Sequence, residues 1–182
     1  MITIQTLLSL TRTEIDGVVS GYSSSEKYVA AKQESEALTT LSLTLTSLEI
    51  PYHKHFEIDD AELANIQQAL PYGYSLGAYD DERLVGLAVA EPRQWNNSLW
   101  VWEFDVSEAY QRQGIGTRLV ATLANRARQE GFRCLVCETQ NTNVPAIRFY
   151  RRAGFELDGV DLTYYTNADL DQEVAVFMKL KI

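Results

Sequence analysis

Long apolar runs are missing from this chain of 182 residues. None reaches the roughly eighteen consecutive apolar residues a membrane-spanning helix needs, so no such helix is expected. The start, MITIQTLLSLTRTEIDG, puts no basic segment before its short apolar run, so a secretory signal is not expected either. Cysteine is scarce, with Cys134 and Cys137 alone forming one C-x-x-C inside the apolar run RCLVCET. That run reads as a buried strand, on which residues three apart point to opposite faces and are not placed to pair. A second C-x-x-C and an H-E-x-x-H are both absent, and the only histidines are His53 and His55. Structural cysteines and surface histidines follow, without a redox pair or a metal site. The expectation is a cytoplasmic protein that holds no metal and no membrane.

Positive charge is also short. Sixteen Lys and Arg stand against 25 Asp and Glu, a net charge of −9, which argues against a general nucleic-acid binder. Residues 1–110 carry 6 basic against 17 acidic residues, net −11, while residues 111–182 carry 10 against 8. An acidic front half suits a cationic substrate, and solvated surface carboxylates account for the same numbers.

What is present is the composition of a globular protein, 46% hydrophobic and 23% charged, and residues 1–182 read as a single domain. Residues 2–8 suit a first strand and Ser9 to Val19 a short helix. Gly21 to Ser25 suits a loop. Leu41, Leu43 and Leu45 alternate with Ser42, Thr44 and Thr46, the period of a half-buried strand, which Pro51 should end. Ile58 to Leu70 has acidic residues early and helical apolar spacing. Tyr74 to Tyr79 and Leu84 to Ala90 read as a hairpin turning at residues 80–83. A strand over Leu99 to Val106, a glycine-punctuated loop and a helix follow. A strand over Cys134 to Glu138 and a helix from Asn143 to about Ala153 come next, then strands at Phe155–Leu157 and Val174–Lys179. The fold class is α/β (α+β), a mixed and mostly antiparallel sheet flanked by helices, with one parallel crossover.

The centre of the chain is the loop Gln111-Arg112-Gln113-Gly114-Ile115-Gly116, which fits the pattern Q/R-x-x-G-x-G/A. Glycines at 114 and 116 remove the Cβ atoms that would obstruct a close phosphate group. A helix starting here aims unpaired N–H groups and its positive dipole end at the same point. Arg112 can add a charge-assisted contact. The helix is signalled by Ile115, Leu119 and Leu123 with Val120, Ala124 and Ala127, and Gly131 suits its end. Leu119 stands where a dinucleotide fingerprint needs its third glycine, and the Gly-Lys-Ser/Thr of a P-loop is absent.

A second signature follows, Asn143-Val-Pro-Ala146-Ile-Arg-Phe149-Tyr150-Arg-Arg-Ala-Gly154-Phe155. It resembles the N-x-x-A-x-x-F/L-Y-x-x-x-G-F pattern of the GCN5-related N-acetyltransferase (GNAT) superfamily, whose pyrophosphate loop the first motif matches. A narrower likeness, in Glu138 to Asn143 with Arg148-Phe149-Tyr150, is to streptothricin acetyltransferases. These acetylate an antibiotic amine and confer antibiotic resistance.

The resemblance implies acetyl-CoA as co-substrate, a small-molecule amine as partner, and direct attack in a ternary complex. Gln111, Arg112, Gln113, Gly114, Ile115, Gly116 and Thr117 would hold the pyrophosphate. Backbone groups at Phe104 and Val106 would hold pantetheine and polarise the thioester carbonyl. Tyr150 matches the family's tyrosine acid, and packing against Ile147 would explain its ring equally. Asn143 can cap its helix, contact the cofactor, or do both. Glu103 and Asp105, sharing a strand face opposite Trp100, Trp102 and Phe104, are candidate bases or ammonium ligands, and Glu138 is a third. A protein lysine or N-terminal acetyltransferase and a non-catalytic acyl-CoA-binding module are the alternatives, and a homodimer is left open.

Overall fold

A computed structural model describes residues 1–166 and 173–182. In chain order it contains β1 (Ile2–Thr6), α1 (Arg12–Asp16), β2 (Gly21–Glu34), β3 (Thr39–His55), α2 (Asp60–Ala69), β4 (Leu76–Asp80) and β5 (Arg83–Arg93). There follow β6 (Ser98–Val106), α3 (Ile115–Gln129), β7 (Cys134–Gln140), α4 (Val144–Arg152), β8 (Glu156–Asp161) and β9 (Ala175–Lys181). Two compact units share these elements: residues 1–21, 55–137 and 180–182 in the first, residues 22–54 and 138–179 in the second.

In the first unit the strand order is β1-β4-β5-β6-β7. The pairs β1·β4, β4·β5 and β5·β6 are antiparallel, while β6·β7 is parallel, bridged by the crossover helix α3. Reciprocal capping starts both short helices. Thr11 and Glu14 cap α1, and Asp59 and Glu62 cap α2, each side chain accepting from the other's backbone N–H. Beneath them Leu7, Ile15, Val18, Leu63, Leu70, Leu84, Leu87 and Val89 form a buried cluster. The hydrophobic stripe of α3 buries Ile115, Leu119, Leu123 and Ala127, as its spacing predicts. Gly86 makes room for that helix: a Cβ there would lie 3.3 Å from Val106 Cγ2 and 3.4 Å from Ile115 Cγ2.

In the second unit β7, β9 and β8 are neighbours in that order, and β2 with β3 forms a separate two-stranded sheet. The turn after β7 is fixed by Asn141, whose Oδ1 accepts from Val174 N–H at 2.9 Å while its Nδ2 donates to the Tyr28 carbonyl at 2.7 Å.

Four expectations are corrected. The first helix shrinks from Ser9–Val19 to Arg12–Asp16, bounded by the Thr11 cap and Gly17. Gly21 to Ser25 is not a loop but the start of β2. Pro51 does not end β3, which continues to His55; a proline survives in a strand whose N–H side is unpaired. Of the three leucines alternating in β3 only Leu43 is half-buried as expected; Leu41 and Leu45 are exposed, 47% and 40% accessible.

Candidate active site

The first unit carries the strand, the loop and the helix. Along β6 the register against β5 runs Gly86↔Val106 to Val89↔Glu103 and then slips, so that Ala90 faces Val101 and Trp102 is an extra residue. This bulge breaks the simple alternation expected from Trp100 to Asp105. Beyond it, Glu103 and Asp105 still alternate with Phe104. The Arg93 guanidinium covers both indole rings, 5.7 Å from Trp100 and 5.3 Å from Trp102. The parallel register with β7 runs from Ser98↔Cys134 to Val101↔Cys137.

Both carboxylates here are half-buried. Burial pushes Glu103 up to about 8; adjacent Asp105 adds to the rise, the Phe104 backbone opposes it, and Glu62 contributes least. Burial pushes Asp105 up to about 7 against hydrogen bonds from the backbones of Val106 and Ser20. The Val106 N–H donates to Asp105 Oδ1 at 2.7 Å. Among the described residues neither Glu103 nor Asp105 makes an ion pair.

After β6 a 3-10 turn, Glu108–Tyr110, leads into the loop. Tyr110 ties it down, donating to Asp80 Oδ2 at 3.0 Å with Arg83 5.9 Å from its ring. Gln111 and Gln113 brace the loop: the first donates to the Val106 carbonyl at 3.0 Å and the second to Ala109 at 3.1 Å. Arg112 and Gly114 both take left-handed backbone, φ 60° and 81°. A Cβ at Gly114 would meet nothing within 4 Å, so glycine is required there by conformation and not by space. Gly114 is the N-cap of α3 and supplies no side-chain hydrogen bond to its first turn. The amides of Ile115, Gly116 and Thr117 precede Arg118, whose N–H is bonded to the Gly114 carbonyl at 3.0 Å. Converging backbone donors, a dipole end and the exposed Arg112 fit a pyrophosphate.

The second unit carries Asn143, Tyr150 and Glu138. Asn143 caps α4, its Oδ1 accepting from Ala146 N–H at 3.1 Å. The Tyr150 ring is buried, with centroids 5.4 Å from Phe149 and 5.3 Å from Phe155. Glu138 is half-buried and raised above the usual carboxylate range by burial, while the Tyr165 hydroxyl that donates to it and the charge of Lys54 pull the other way. Lys54 itself pairs with buried Glu173 at 2.6 Å. Glu173 also accepts from Thr142 at 2.7 Å, Tyr52 at 3.2 Å and Tyr22 at 3.4 Å.

Sequence reasoning missed the Tyr110–Asp80 tie, the Tyr165–Glu138 bond and the Glu173 network. Each joins residues 27 or more positions apart, where no local spacing speaks. Cys134 and Cys137 are buried thiols, and both histidines are exposed. Among the described residues no helix is long and apolar enough to cross a membrane.

Comparison with known proteins matches the family model described as "Acetyltransferase (GNAT) family" to residues 40–155. Streptothricin acetyltransferase A of Bacillus subtilis (strain 168) is 27% identical over 131 residues, 72% of this chain and 74% of that protein. Streptothricin acetyltransferase of Escherichia coli is 30% identical over 128 residues, covering 70% and 69%. A crystal structure of nourseothricin acetyltransferase superposes with a TM-score of 0.77 at 25% identity, covering 99% of this chain and 98% of that one. A Bacillus anthracis structure in complex with acetyl coenzyme A gives a TM-score of 0.76 at 22% identity and full coverage of both, which speaks for the fold. Fold and loop thus define an acetyl-CoA-dependent acyltransferase of the N-acetyltransferase type. The chain belongs to the Acetyltransferase (GNAT) family.

Proposed function

We propose that this N-acetyltransferase acts on a primary amine of a small polycationic molecule, of the streptothricin or polyamine class, by direct attack in a ternary complex. The observation that carries the substrate class is the pair of half-buried carboxylates, Glu103 and Asp105, which lack an ion-pair partner among the described residues. Buried carboxylates favour a charged ligand that restores their ionised form. Two similar curated proteins named as streptothricin acetyltransferases support the same reading.

Acetyl-CoA supplies the activated acetyl thioester. The amides from Ile115 to Thr117, with Gly114, Gly116 and the Arg112 guanidinium, bind its pyrophosphate, and Gln111 and Gln113 keep the loop in shape. Backbone groups at Phe104 and Val106 orient pantetheine. Glu103 accepts a proton from the incoming ammonium, directly or through water, a task suited to a carboxyl raised to about 8. Tyr150 donates its phenolic proton to the leaving thiolate; ordinary values near ~8.5 for a thiol and ~10 for a phenol make that transfer accessible. Asn143 positions α4, which bears Tyr150.

The test is acetyl-CoA consumption over a panel of streptothricin-like compounds, polyamines, neutral amines and peptides. Preference for the polycations is the expected result. Peptides or neutral amines outperforming every polycation would overturn the acceptor class.

A further inference from the structure

Strand β3 is seventeen residues long, yet among the described residues it pairs with β2 alone. A two-stranded sheet is at best marginally stable in water. From Ala37 to Leu48 the sequence ALTTLSLTLTSL carries no charge, in a chain of net charge −9. Lysines, prolines and inward-facing charges usually blunt an open strand edge, and this run has none of them. Leu41 and Leu45 are exposed, as is Val29 on β2.

The run also reads the same in both directions. Outward from Leu43, Ser42 answers Thr44, Leu41 answers Leu45, Thr40 answers Thr46, Thr39 answers Ser47, and Leu38 answers Leu48. Two identical antiparallel strands related by a two-fold axis place each residue opposite the one equally far beyond the axis. About an axis at Leu43, every leucine meets a leucine and every hydroxyl a hydroxyl, like-with-like pairs that suit a sheet. Charge agrees: the hairpin turn closed by the Ser35 N–H donating to the Leu38 carbonyl at 2.8 Å leaves Glu36 outside the paired stretch, and residues 39–47 carry no charge.

We propose that the outer edge of β3 is a homodimer interface, in which residues 39–47 pair antiparallel with the same residues of a second copy across an axis at Leu43. The pairing turns two hairpins into one four-stranded sheet and satisfies the backbone row that β3 otherwise presents to water. Palindromy selects a second copy over an unrelated strand, because only self-pairing makes use of it.

Light scattering after gel filtration tests this on the full chain. The expected wild-type mass is twice 20.6 kDa. Leu43→Lys and Leu43→Glu, which place like charges face to face, should each run as folded monomers, and an equimolar mixture should regain the dimer. In the wild type, amides of residues 40–46 should exchange more slowly as concentration rises. A wild-type monomer at every soluble concentration would overturn the proposal. So would variants that stay dimeric, a folded mixture that stays monomeric, or exchange indifferent to concentration, the last being readable even if a variant fails to fold.

Discussion

The backbone N–H of Val106 donates at 2.7 Å to the carboxylate of Asp105, the residue just before it. In the proposed mechanism the backbone at Val106 helps hold pantetheine, so Asp105 occupies a donor that the co-substrate would use. The Asp105 carboxyl and acetyl-CoA then compete for one amide. Asp105→Ala should bind acetyl-CoA more tightly than wild type by several-fold, the order of one modest hydrogen bond of about 1 kcal/mol. Calorimetry showing equal or weaker affinity in the folded variant would remove the competition.

Gly116 is the second residue of α3. In Gly116→Val the side chain would stand where the pyrophosphate is proposed to approach, so acetyl-CoA binding should be lost while circular dichroism stays that of the wild type. Titration calorimetry decides; undiminished affinity would move the phosphate elsewhere.

Tyr150→Phe keeps a ring packed between Phe149 and Phe155 and deletes only the hydroxyl. Turnover should fall by about a hundredfold or more, the scale of general-acid catalysis, with little change in acetyl-CoA affinity. A full rate under conditions where chemistry limits would return Tyr150 to a packing role.

Glu103 is raised from 4.5 to about 8. As a base it works ionised, so the rate at saturating acetyl-CoA should climb through about pH 8, and Glu103→Gln should lose that limb and recover only as the acceptor amine itself deprotonates. The stability effect runs the other way. The folded state holds this proton more tightly than the unfolded chain, so its contribution is favourable at low pH and is lost as pH rises from about 4.5 toward about 8. Relative to wild type, Glu103→Gln should therefore melt higher above pH 8 and not below pH 4.5. Parallel melting curves at both extremes would contradict the shift.

The Lys54–Glu173 pair is 2.6 Å long, and the Glu173 side chain is only 2% exposed. Glu173→Ala removes the carboxylate that the Lys54 ammonium and three hydroxyls share, and should cost about 1–3 kcal/mol by denaturant unfolding. Replacing Lys54 and Glu173 together with Met and Leu should recover most of that loss, since the Lys54–Glu173 ion pair is then removed whole rather than halved.

Local chemistry was legible in the sequence where neighbours in the chain decide it. The α3 stripe and the Asn143 cap each depend on residues within a few positions and stand as read, while Gly114, read as clearing space, is required instead for its φ of 81°. Periodicity likewise marked β3 as a strand, but it could not say whether β3 has a partner. Its alternation promised a half-buried face, and Leu43 is half-buried while Leu41 and Leu45 are exposed, because burial of a face is decided by what packs over the sheet and not by the strand's own spacing. The bulge at Trp102, the Asp80 anchor on Tyr110 and the four donors on Glu173 are tertiary decisions too. They depend on which strand lies opposite and on which distant side chain reaches a buried carboxylate. A one-residue slip in register, or a bond across 119 positions, leaves no trace in local spacing because the energy that selects it comes from burial and pairing in three dimensions.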